Sequence, residues 1–142
     1  VTQALSGGIP ASSLTAELIN GSGGSIAGFT PVSVNGSGDI TTVDVSNLTS
    51  VHNVAGVTSV GVSDGASVVI ITAGKLQNVN TLTFGSAVFI SKTGGLTQSY
   101  PTIGVDGFVS GDYVVKVGIT SKNQITPANV DLLINIHLVG QL

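Results

Sequence analysis

The chain contains no cysteine, methionine, tryptophan or arginine, and aromatic residues make up only 4% of it. Without cysteine there is no disulfide framework and no thiol chemistry, which leaves the redox compartment open. Charged residues amount to 8%, against about 25% in an average domain. The four lysines (Lys75, Lys92, Lys116 and Lys122) are dispersed and the net charge is −3. No basic footprint for nucleic acid results, so nucleic acid is not an expected partner. No apolar run reaches the ~18 residues of a spanning helix, and no basic segment followed by an apolar stretch opens the chain. Neither a membrane partner nor a secretory leader is expected of this form of the chain.

What is present is branched and turn-rich. Hydrophobic residues make up 42% of the 142 residues, and mean hydropathy is +0.53. Valine and isoleucine dominate that fraction, and their stiff χ1 angles favour pleated strands over helices. Twenty glycines and repeated Asn-Gly, Asp-Gly and Ser-Gly pairs supply the turns. The expected fold class is all-β: a small barrel or sandwich of short antiparallel strands over residues 16–142, preceded by an extended N-terminal arm over residues 1–15. Too little charge and too much valine are present for general disorder. Solubility then rests on Ser, Thr, Asn and Gly, a surface that a neighbour buries with little ionic desolvation.

Along the chain, strand signals begin at Ala16 and break at Asn20-Gly21. Val32 and Val34 alternate over residues 31–35, and the chain turns through Asn35-Gly36-Ser37-Gly38 and returns over residues 39–45. A strand region is expected over 54–62, ending at Asp64-Gly65. Val68 to Thr72 is a continuous apolar run of the kind that is buried on both faces. A turn at Ala73-Gly74 and a new strand over 75–79 are expected next. Further strands are expected over 87–91, over 112–120 and over 130–139, where Leu132, Ile134, Ile136 and Leu138 alternate.

An internal echo runs through these segments. Val32, Val34, Gly38 and Ile40 align with Val88, Ile90, Gly94 and Leu96, and Ala55-Gly-Val-Thr-Ser aligns with Val117-Gly-Ile-Thr-Ser. Gene duplication and the shared grammar of hairpins both produce such an echo.

Candidate chemistry is sparse. His137 alternates with Ile136 and Leu138 and so faces away from the apolar stripe, while His52 lies in an expected loop. Neither has a partner at metal-ligand spacing. No serine occupies a Gly-x-Ser-x-Gly elbow. Most of the seven acids flank glycines or strand ends, where aspartate accepts turn hydrogen bonds. No catalytic residue, cofactor or metal is expected.

The segments INGSGGSIAGFTPVSVNGSG, VAGVTSVGVSDGASVVIITAGKL, FGSAVFISKTGGLTQSYP and GDYVVKVGIT, spread from Ile19 to Thr120, resemble a β-module of virion structural proteins of tailed bacteriophages. The Val-Gly-Val-Ser segment departs from the alanine-rich form with following acids that is more usual there. The resemblance implies a capsid decoration protein at the virion's capsid surface, with a tail, neck or fibre component as the alternative. It implies partners of the same kind: further copies in a homotrimer, and the major capsid protein or another virion protein. The arm, with Val1, Leu5, Ile9, Pro10 and Leu14, is the expected assembly element. Tyr100, Phe108 and Tyr113 are the expected exposed contact residues.

Overall fold

The computed structural model describes residues 13–142, and they form an all-β fold. The strands are β1 (Leu14–Ile19), β2 (Pro31–Val34), β3 (Ile40–Thr42), β4 (Val54–Thr58), β5 (Ser67–Leu76), β6 (Val88–Ile90), β7 (Leu96–Thr97), β8 (Tyr113–Lys122) and β9 (Val130–Gln141). They make one antiparallel sheet in the order β3-β2-β4-β5-β9-β8-β6-β7, with β1 added to β5, curled as a half-barrel. The core lies inside the curl because the valine and isoleucine faces of the strands turn toward one another.

The echo in the sequence is an echo in register. In the first unit Val34 pairs with Ile40 and Ser33 with Thr41. In the second, Ile90 pairs with Leu96 and Phe89 with Thr97, the aligned positions. The two turns close alike: Asn35 N–H donates to Asp39 O at 2.8 Å, and Ser91 N–H donates to Gly95 O at 2.8 Å. Gly38 and Gly94 take positive φ angles of 84° and 91° there, which glycine adopts without steric cost. The next strand repeats too. Val32 pairs with Gly56 and Val88 with Gly118, each followed by a register shift of the kind a β-bulge makes. Val57–Ile71 and Thr58–Ile70 have their counterparts in Ile119–Leu133 and Thr120–Leu132. A shared hairpin grammar would reproduce a turn; it would not reproduce the bulge and the onward register across four strands. The correspondence therefore extends beyond the turn to the following strands.

Two buried clusters follow from this arrangement. Ile26, Val32, Ile40, Val62, Val68 and Ile70 fill the first unit. A larger cluster fills the second unit and joins it to the first, with Val88, Ile90, Leu132, Val115 and Phe108 beside Val57 and Ile71. Each fully buried branched or aromatic side chain contributes about 1.5–3 kcal/mol of transfer free energy.

Three expectations are corrected. There is no turn at Ala73-Gly74: β5 runs through it, and Gly74, at φ 95°, marks the place where the strand passes from partner β1 to partner β9. A single turn of helix, α1 (Leu48–His52), replaces the expected loop around His52, with Asn47 Oδ1 accepting from Ser50 N–H at 3.2 Å as its N-cap. The arm boundary moves as well. Leu14 and Thr15 belong to β1, paired with Ala73 and Ile71, while Val1, Leu5, Ile9 and Pro10 lie outside the described residues.

Candidate contact surface

The connection from β7 to β8, residues 98–112, carries Tyr100, Ile103, Val105 and Val109, all exposed. Tyr100 is 58% exposed and packs edge-on against Phe89, with ring centroids 5.2 Å apart. Phe84, on the connection from β5 to β6, is exposed as well. A loop with this much apolar surface would collapse unless its backbone were held, and here it is held at several points.

The first hold is Phe108. It is 2% exposed, in the large core, and not the exposed aromatic contact expected of it. Asp106 and Gly107 take φ angles of 53° and 86° and reverse the chain just before it, so its ring points inward. Gly104 N–H donates to Phe108 O at 2.9 Å, and Phe108 N–H donates to Val105 O at 3.1 Å. Ile103 and Val105 are thereby turned outward on a closed loop anchored by one buried ring.

The second hold is an ion pair. Lys92 Nζ, just after β6, donates to both carboxylate oxygens of Asp112, at 2.8 and 2.7 Å. Asp112 is 1% exposed. Its Oδ2 also accepts from Val109 N–H at 2.9 Å, which fixes the loop's last exposed valine. Burial by itself would raise the Asp112 carboxyl pKa; the hydrogen bonds from Lys92 and Val109 and the ammonium charge outweigh it, and the net direction is down. Nearby Asp44 is also held below its ordinary value, by the Ser46 hydroxyl and N–H at 2.6 and 2.9 Å and further by the Lys92 charge.

The third hold is the base of the loop. Gly111 N–H donates to Leu142 O and Leu142 N–H to Asp112 O, both at 2.8 Å, and Tyr113 N–H donates to Val45 O at 2.8 Å. Tyr113 is half-buried against the core and serves the loop's footing. Of the three aromatic residues expected as exposed contacts, then, Tyr100 is on the surface, Tyr113 is at the base, and Phe108 is inside.

Residue-by-residue reading missed Lys92 and Asp112, which are far apart in sequence and meet only through β6–β8 pairing. It also passed over Ile103, Val105 and Val109. Their signal was present as apolar residues spaced through a glycine-rich segment with no strand alternation. A second groove, of about 320 Å³, lies between the β2–β3 turn and α1 and is lined by Ser33, Asn35, Thr41, Asn47, Thr49 and Asn53. Asn35 Oδ1 there accepts from Ser37 and Asp39 N–H, and Asn47 caps α1, so both amides maintain local turns. Among the described residues no three His, Asp or Glu side chains converge as metal ligands would. His52 and His137 are exposed on separate elements, α1 and β9.

No protein-family model, no curated protein and no solved structure matches this chain.

Proposed function

We propose that the chain is a non-enzymatic structural protein of a virion, a capsid decoration protein that strengthens the head through many symmetric contacts. The observation that carries this reading is the braced apolar loop. A monomer with no binding task gains nothing from holding Tyr100, Ile103, Val105 and Val109 in water on a backbone fixed by an ion pair to a buried carboxylate and by a buried phenylalanine. A preformed apolar patch binds without the ordering cost of a flexible one. The low charge of the chain fits the same role, because little ionic desolvation opposes burial of the surrounding surface. The phage-module resemblance supplies the class of assembly, and with it the homotrimer and the major capsid protein as partners.

A tail, neck or fibre component is the second reading. Its support is Tyr100 together with Phe84, exposed aromatics of the kind that anchor a receptor contact. Quantifying the chain in purified particles tests the first against the second. A fixed, high ratio to the major capsid protein supports decoration. A few copies per particle support the tail reading, and absence from particles overturns both.

A further inference from the structure

The two units share a register but not their surroundings. In the first unit, Val57 on β4 and Ile71 on β5 are cross-strand partners and are buried, 0% and 6% exposed, in the core shared with the second unit. The first unit also offers the strand edge Gly74–Leu76, which β9 fills through Ile134, Leu133 and Leu132. Unit one therefore holds unit two by an apolar face and an adjoining strand edge.

Unit two carries the counterpart of the face, and an open strand edge of its own lies beside it. Ile119 and Leu133, cross-strand partners on β8 and β9, align with Val57 and Ile71. Ile119 is 49% exposed, and with Leu133 it lines an open cavity of about 250 Å³ that Lys116 and His137 also border. On β9, Ile136–Leu138 align with Gly74–Leu76, and there β8 holds the side of the strand that β9 holds on β5; the open edge is the opposite one. Among the described residues this stretch has β8 on one side, and β5 stops short of it on the other, at Ile134. An exposed strand edge beside an open apolar face is a template for another chain.

We infer that this face and edge bind a second copy of the chain, head to tail, through the outer edge of its β1. The apolar face that is buried inside the same molecule shows which kind of partner its open counterpart fits: a unit of its own type. Strand β1 pairs with β5 alone among the described strands, and it presents Leu14 and Ile19 exposed. It also carries the exposed carboxylate of Glu17, opposite in charge to Lys116. The contact is heterologous, so repetition gives a closed ring or an open filament. The occupant rests on the self-association part of the reading above and needs nothing from the virion part.

Sedimentation of the full chain over a concentration series tests it. The expected result is a mass that rises with concentration to a discrete or growing oligomer. Ile119→Asp sediments as a monomer with an unchanged circular dichroism spectrum, while Ile125→Asp, at a still more exposed apolar position outside the face, associates as the parent does. Glu17→Lys weakens association about threefold, and Lys116→Glu in the same chain recovers it. Amide exchange at residues 135–139 slows as concentration rises, a reading that needs no variant to fold. A parent chain that is monomeric throughout overturns the proposed contact, and particle stoichiometry then decides separately on the virion reading. Undiminished association of Ile119→Asp overturns the face and leaves self-association standing. Association lost on deleting residues 1–12, with Ile119→Asp silent, assigns the contact to the arm and overturns it too.

Discussion

Gly56 and Gly118 stand at the same place in the two units: a Cβ on either would fall on the carbonyl oxygen of the partner strand, that of Ile71 in one case and Leu133 in the other. Both follow the register shift that bends their strand, and both let the strands close to a distance that no side chain allows. Gly118→Ala is expected to force the β8–β9 backbones apart at a cost on the order of 3 kcal/mol. Gly140→Ala, where a Cβ meets nothing within 4 Å, should stay within about 0.5 kcal/mol. Urea midpoints of the two variants check the contrast.

The Lys92–Asp112 pair sets a second expectation. Lys92→Ala leaves a carboxylate buried with only the Val109 N–H, at a cost of about 3 kcal/mol in denaturant unfolding. Lys92→Met with Asp112→Asn should cost less than the two single losses added, because no uncompensated charge remains.

The same pair has a pH signature. The folded Asp112 carboxyl lies below its ordinary value of 3.8, so the unfolded chain binds a proton first as the pH falls. The pair's stabilisation is therefore complete above the ordinary aspartate range and is lost as pH drops through the lower folded value. Thermal melts between neutral and strongly acidic pH should show this acid loss. Asp112→Asn should reduce its slope, and Asp44, also depressed, should account for part of what remains.

Anchor and contact within the loop can be separated. Phe108→Ala is expected to cost about 4 kcal/mol of stability by leaving a cavity in the large core. Tyr100→Ala loses an edge-on ring contact worth about 1 kcal/mol and leaves the fold intact. If the loop is a contact surface, Tyr100→Ala and Val105→Asp reduce attachment to particles without lowering the melting temperature much.

The arm can be cut at its structural limit. Deleting residues 1–12 removes none of the described strands and should leave the melting temperature unchanged; the proposed function adds weaker attachment to particles. Extending the deletion through Ile19 strips β1 from β5 and exposes the Ser67–Ala73 edge; a lower midpoint and concentration-dependent aggregation are expected.

Most of the strands were legible because their signal is local. Branched residues alternate, and Asn-Gly or Gly-Gly pairs interrupt them, as at Val32 to Ile40 and again at Val88 to Leu96. The repeat was legible for the same reason. What depended on distant partners was not. Phe108 reads as a loop aromatic, and only the reversal at Asp106–Gly107 turns it inward. Asp112 and Asp131 read as turn acids, yet both are buried. One is paired with Lys92, and the other accepts from Asn123 Nδ2 and Asn78 N–H near Lys75. Gly74 reads as a turn because positive φ and a turn share one residue type. Inside β5 the same conformation is a kink between two partners. In β9 the alternation of Leu132, Ile134, Ile136 and Leu138 is true of the sequence but not of burial. The register against β8 shifts twice, and Leu138 is exposed.

The most direct test of the proposed virion role is the stoichiometry of this chain in purified phage particles, measured by quantitative mass spectrometry. A fixed multiple-copy ratio to the major capsid protein, lowered by Tyr100→Ala and Val105→Asp, is the expected result. A chain missing from the particles, or one whose incorporation ignores the loop, would contradict it.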